Sequence, residues 1–180
     1  MADPRTQTLP PARDGGAATY RIALVCLGNI CRSPMAHVVL EHRLAQAGVD
    51  ASVSSAGTGA WHVGEPMDRR AAVALTAHGY DASRHAARQF DADWFAEHDV
   101  VLVMDETNHA DVTALAATPE DTARVLLFRD FDPRAGTGDR ELPDPYFGGD
   151  DGFRAVLAVI ERTAAAIVAA LARDGSGEPG

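Results

Sequence analysis

Cys26, Arg32 and Ser33 sit in the stretch Cys26-Leu27-Gly28-Asn29-Ile30-Cys31-Arg32-Ser33, directly behind the apolar run Tyr20-Arg21-Ile22-Ala23-Leu24-Val25. A strand that ends at Cys26, wraps tightly and enters a helix near Ser33-Pro34 would aim backbone N–H groups and the positive helix end at one point. Gly28 and Asn29 are residue types that tolerate the left-handed backbone such a wrap needs. A thiol at that point, beside the Arg32 guanidinium and the Ser33 hydroxyl, is favoured as the thiolate, the nucleophilic form of cysteine. The same donors would grip phosphate oxygens, with Arg32 holding two of them as a planar fork. The loop therefore suits in-line displacement at phosphorus. The chain lacks Gly-x4-Gly-Lys-Ser/Thr and has no lysine to reach a nucleotide, so NTP hydrolysis is not expected.

A loop of this kind needs rigid elements on both sides. Four short apolar, β-rich runs, residues 21–26, 51–55, 99–104 and 124–128, read as strands. Between and after them, residues 34–47, 67–78, 108–117 and 153–172 carry apolar residues at helical spacing. Alternating strands and helices predict an α/β fold: a three-layer sandwich with a central, mostly four-stranded parallel sheet flanked by helices, in a single domain. That domain is expected over residues 19–173, with disordered tails at 1–18 and 174–180. In such a sheet ligands bind beyond the carboxyl ends of the strands, where Cys26 falls. The Pro-, Gly- and Asp-rich residues 129–151 form a long loop, a candidate lid.

Bulk composition excludes several function classes. The 180 residues are 46% hydrophobic and 23% charged, with a net charge of −10 and no basic cluster, so no nucleic-acid partner is expected. No apolar run is read as approaching the roughly 20 residues of a membrane span, so no membrane partner is expected, and the first twenty residues lack the apolar core of a signal peptide. A cytoplasmic monomer is the expectation, with export by a route without a signal peptide left open. The two cysteines lack a second ligand pair, so no metal is expected, and no cofactor is implied.

The stretch VCLGNICRSPMA, together with SSAGT (54–58), MDETN (104–108) and DPYF (144–147), resembles the low-molecular-weight protein tyrosine phosphatase family over about residues 21–172. The resemblance implies that Cys26 is a nucleophile forming a phosphocysteine, Arg32 the phosphate clamp, and Asp144 the acid that protonates the leaving phenolate and later activates water. It implies a supporting network of Asn29, Ser33, Ser55 and His85, and a substrate cradle of Leu27, Gly28, Asn29, Ile30, Cys31 and Ser33. Trp61, Tyr146 and Phe147 would add aromatic walls that admit an aryl phosphate. Cys31 is implied as a redox partner that shields Cys26 from over-oxidation. Asp105 is expected to cap a helix or back the site rather than to react. Phosphotyrosine-containing proteins are the implied substrates, and inorganic phosphate the product and inhibitor.

Two departures stand out. Phe147 replaces the family's second tyrosine, which keeps a ring but removes a phosphorylatable hydroxyl. His37 stands where a Glu is usual, on a helix expected to lie beyond the site. Three rival readings share the loop. An arsenate reductase would need further cysteines, and none follows Cys31. A phosphoarginine phosphatase tends to carry a smaller polar residue at Ile30. A non-catalytic phosphotyrosine-binding module would lose the nucleophile or the acid, and this chain keeps both.

Overall fold

A computed structural model describes residues 7–16 and 18–175. The first strand, β1 (Tyr20–Cys26), is the central one: β2 (Ala51–Gly57) pairs with it on one side and β3 (Val100–Val103) on the other, with β4 (Val125–Leu127) beyond β3. All pairings are parallel, and the order β2-β1-β3-β4 reverses direction at β1. Ligands bind such sheets at that reversal, beyond the carboxyl ends. The expected three-layer fold is what the structure has.

Side-chain alternation along β1 builds two cores. Ile22, Leu24 and Cys26 face the layer of α1 (Arg32–Ala47), α2 (Arg69–Ala77) and α6 (Asp150–Gly175). Ala23 and Val25 face α3 (Trp94–Glu97) and α4 (Glu106–Thr113), with Phe90, Trp94, Phe95 and Val112 packed against them. A short α5 (Pro119–Ala123) precedes β4, and a 3-10 turn, Phe128–Phe131, follows it.

Two expectations need correction. By length and composition α6 could cross a membrane, with a mean hydropathy of 1.9; its alanine-rich sequence hides this from a search for continuous large apolar residues. In this fold Phe153, Leu157, Ile160 and Ile167 of α6 are buried in the core against the first layer. The expected disordered N-terminal tail is also wrong for residues 9–13. Leu9 packs on the core, the Pro10 carbonyl accepts from the Tyr20 hydroxyl at 2.7 Å, and Arg13 N donates to Asp99 at 2.8 Å. A buried carboxylate recruits donors wherever the chain can supply them. Residues 1–6, 17 and 176–180 of the two expected tails lie outside the described residues, while α6 continues through 174 and 175.

Candidate active site

β1 delivers Cys26 to the carboxyl edge of the sheet, opposite Gly57 of β2. Pairing continues past the strands: Thr58 N donates to the Cys26 carbonyl and Gly59 N to that of Leu27, both at 2.9 Å. A Cβ on Gly57 would lie 2.7 Å from the Leu27 oxygen and 3.0 Å from Asn29 N, so only glycine admits the loop there. The chain then turns through Asn29, the one described non-glycine residue with positive φ, at 56°, and enters α1 at Arg32 with no side-chain cap on the helix. An uncapped helix start leaves N–H donors and a partial positive charge at the mouth of the loop.

Asn29 is buried and fully engaged. Its Nδ2 donates to Ser33 Oγ at 2.8 Å and to Ser55 Oγ at 3.1 Å, its Oδ1 accepts from Arg88 N at 2.9 Å, and its carbonyl accepts from His85 Nε2 at 2.7 Å. Ser33 Oγ lies 2.9 Å from Cys26 Sγ and 3.3 Å from the Ala56 carbonyl. Because Asn29 already donates to that hydroxyl, the Ser33 proton is shared between the Ala56 carbonyl and the sulfur, and it can turn to the sulfur when that carries charge. The four residues expected to form a supporting network are thus brought together.

His37 joins them. Its Nδ1 lies 3.2 Å from Ser55 Oγ, so it is part of the network rather than beyond the site. Burial, with His85 and Arg88 nearby, lowers its pKa to about 4. A neutral ring can accept the Ser55 hydroxyl proton. Burial also lowers His85, against the opposing effect of its bond to Asn29.

Arg32 is buried, which by itself would lower its pKa, yet Cys26, Asp105 and Asp144 around it raise it. Its Nη1 donates to Asp105 Oδ2 at 2.7 Å and to the Leu142 carbonyl at 3.1 Å, and its Nη2 lies 3.5 Å from Asp144. Asp105 also caps α4 through Asn108 N, the backing role expected of it. Asp144 accepts from Tyr146 N at 3.1 Å and keeps its side chain about a third exposed, as a group that must meet solvent and ligand would.

A cleft of about 160 Å³ opens over the sulfur, lined by Cys26, Leu27, Gly28, Ile30, Cys31 and Arg32 from the loop. Trp61, His62, Asp144, Tyr146 and Phe147 close its other sides. Of the expected cradle, Asn29 and Ser33 do not line the cleft: both are buried behind it, where they hold the loop. Trp61 and Phe147 stand at the rim, 71% and 92% exposed, and the Tyr146 and Phe147 rings meet edge to face at 5.0 Å. Cys31 is a free buried thiol; burial, aided by Asp68, Cys26 and Asp144, pushes it up to about 12. Sequence reasoning missed His62, whose Nδ1 sits 2.7 Å from Glu65, and the pair Asp68 and Arg70 beneath the lid. Only the Asp-x-x capping pattern before α2 offered a signal for Asp68.

A cysteine at the base of a strand-loop-helix anion site, on a four-stranded parallel sheet, defines a class: phosphatases that use a thiol. The chain belongs to the low molecular weight phosphotyrosine protein phosphatase family, which matches residues 21–177. A low molecular weight protein-tyrosine-phosphatase of Streptomyces coelicolor is 45% identical over 155 residues, 85% of this chain and 94% of its own. Low molecular weight protein-tyrosine phosphatase A of Mycobacterium tuberculosis is 44% identical over 142 residues, 78% of this chain and 84% of its own. Among solved structures, a low molecular weight phosphotyrosine phosphatase of Vibrio cholerae superposes with a TM-score of 0.80 at 33% identity, covering 87% of this chain and 99% of that one.

Proposed function

We propose that this enzyme hydrolyses phosphotyrosine in proteins through a phosphocysteine intermediate. The observation that carries the reading is the convergence of Cys26, the Arg32 guanidinium and the Asp144 carboxyl on one cleft. Cys26 Sγ attacks phosphorus in line with the departing phenolate oxygen, and Asp144 gives that oxygen its proton. The two bonds on Arg32 Nη1 fix the guanidinium and leave its other hydrogens for two phosphate oxygens. Ser33 donates to the sulfur when it leaves, at the distance already present. Asp144, now a carboxylate, takes a proton from the water that attacks the phosphocysteine, and inorganic phosphate departs.

The walls support an aryl substrate. Tyr146, Trp61 and Leu27 contribute apolar surface to the cleft, which suits a ring and gives a short phosphoserine little to contact. Ile30, which also lines the cleft, gives no polar partner to a phosphoguanidino group, which disfavours phosphoarginine. Cys31 is read as the partner that closes a disulfide on Cys26 after a peroxide has oxidised it, water leaving as the bond forms. The enzyme is proposed to act as a cytoplasmic monomer.

Steady-state hydrolysis of p-nitrophenyl phosphate by the parent protein, Cys26→Ser and Asp144→Ala tests the reading. Cys26→Ser is expected to lose all measurable turnover, and Asp144→Ala to lose about a hundredfold while still binding phosphate. Undiminished turnover by Cys26→Ser would refute the mechanism. Phosphotyrosine, phosphoserine and phosphoarginine peptides, run side by side, test the walls: equal rates on all three defeat that part.

A further inference from the structure

Arg70 belongs to none of the motifs that carry the chemistry, yet it joins the two loops on which the chemistry depends. It lies in the first turn of α2, whose cap is Asp68. Asp68 Oδ1 accepts from the Arg70 backbone N at 2.8 Å and from Nε at 3.1 Å, and Oδ2 accepts from Nη2 at 3.0 Å. The guanidinium is thereby fixed in plane, a planar fork with its donors already aimed. Two of its three remaining hydrogens go to the lid: Nη2 donates to the Tyr146 carbonyl and Nη1 to that of Gly148, both at 2.9 Å. Its Cζ lies 4.6 Å from the ring centre of Phe153 on α6 and 5.6 Å from that of Tyr146. On the other side, Asp68 N donates to the Ile30 carbonyl of the cysteine loop at 2.8 Å.

A continuous path of bonds thus runs from Ile30 through Asp68 and Arg70 to the two carbonyls that flank Phe147. The turn they hold is closed by Gly148 N on the Pro145 carbonyl at 3.0 Å, and Tyr146 N is bonded to the Asp144 carboxyl itself. We infer that Arg70, braced by Asp68, is a positioning residue that sets where the Asp144 carboxyl stands relative to the cysteine loop, and so governs proton delivery to the leaving group. The inference rests on the acid role proposed for Asp144. Ahead of Asp144 the lid is anchored by the buried Leu142, whose N donates to the Met104 carbonyl at 2.8 Å and whose carbonyl accepts from Arg32 at 3.1 Å; beyond Asp144 the Tyr146 and Gly148 carbonyls are held by Arg70. A displacement of about 1 Å in a catalytic group is enough to cost on the order of a hundredfold.

A staple that only stabilises a surface loop would affect all substrates alike. Proton delivery affects poor leaving groups alone. The test is therefore kcat/KM, which reports the first phosphoryl transfer, for phenyl phosphate and for 2,4-dinitrophenyl phosphate, whose phenolate leaves without help. Arg70→Gln is expected to lose about tenfold or more on phenyl phosphate and less than about twofold on the dinitrophenyl ester. Arg70→Lys restores part of the loss, since an ammonium reaches one carbonyl but not both. In an Asp144→Ala background Arg70→Gln adds less than about twofold, because the group it positions is already gone. Asp68→Asn, which keeps a capping oxygen, gives the same leaving-group signature at smaller size, and melting curves confirm that each variant folds. Equal losses on both esters, no loss on either, or an undiminished Arg70→Gln effect in the Asp144→Ala background overturns the inference. If Asp144→Ala alone leaves phenyl phosphate untouched, it is the acid role that fails.

Discussion

Asn29 is the residue on which the cysteine loop turns. A left-handed backbone at a non-glycine residue is stable only when its surroundings over-determine it, and here four hydrogen bonds to Ser33, Ser55, Arg88 and His85 do so. Asn29→Ala leaves the Arg88 N–H and two hydroxyls short of partners; we expect a loss of about 2–3 kcal/mol by urea denaturation and weaker phosphate binding by calorimetry. His37 adds a pH dependence. Its pKa falls from the ordinary 6.5 to about 4 in the folded chain, so the unfolded chain takes up a proton that the folded one refuses. Its contribution is complete above pH 6.5 and is lost as pH falls towards 4, at most about 3 kcal/mol, with His85 acting in the same direction. Urea midpoints at pH 7 and pH 4.5 should differ less in His37→Gln than in the parent; an equal difference would remove His37 from the network. Cys26, Arg32, Ser33, Ser55 and Asp144 were legible because the loop and its companion stretches specify them locally. His37, Asp68 and Arg70 were not, because their roles depend on which helix face meets which loop, and the sequence around each of them reads as ordinary helix.

At the scale of elements, the end of β2 decides the shape of the site as much as the loop itself. Gly57 faces Cys26 across the sheet, donates to the Arg88 carbonyl and accepts from Phe90 N, which draws the 88–90 segment against the loop's back. Gly57→Ala forces its methyl against the Leu27 carbonyl. The expected cost is about 2 kcal/mol or more in stability, together with a lower affinity for phosphate, by melting and calorimetry; a variant of parental stability and affinity would show that the loop can yield there. All four strands and the helices α1, α2, α4 and α6 were readable from apolar spacing, although β2 runs two residues past the expected end and α4 begins two residues early, where Asp105 caps it, and ends at Thr113, four residues before the expected end. The helices α3 and α5 were not readable, since four and five residues are too few to display a helical period. The lid at 129–151 was visible as a long Pro- and Gly-rich loop. What fixes its base was hidden, because Arg129 pairs with Asp132 and Asp139 while Arg162 of α6 reaches the same Asp132.

The whole molecule separates the chemistry from the tether. The cleft lies at the carboxyl edge of the sheet, while the N-terminal segment is fastened at the opposite edge. There Asp99 accepts from Arg13 N at 2.8 Å and Arg21 N at 2.7 Å, and the Arg13 side chain reaches the His98 carbonyl and Asp121. Arg13→Ala should lower stability by about 1–2 kcal/mol and leave kcat and KM for p-nitrophenyl phosphate unchanged at 25 °C. A loss of turnover without a loss of stability would tie this segment to the site. The net charge of −10 says little about a single small anion site, because local N–H donors and one guanidinium can act inside an acidic protein.

The most direct test is chemical trapping. A single turnover of a phosphotyrosine peptide, quenched in acid within milliseconds and digested for mass spectrometry, should show a phosphoryl group on the sulfur of Cys26, at a level that rises and decays as tyrosine peptide and then phosphate appear. Turnover that proceeds with that sulfur never carrying phosphorus, or with phosphorus on another side chain, would contradict the account.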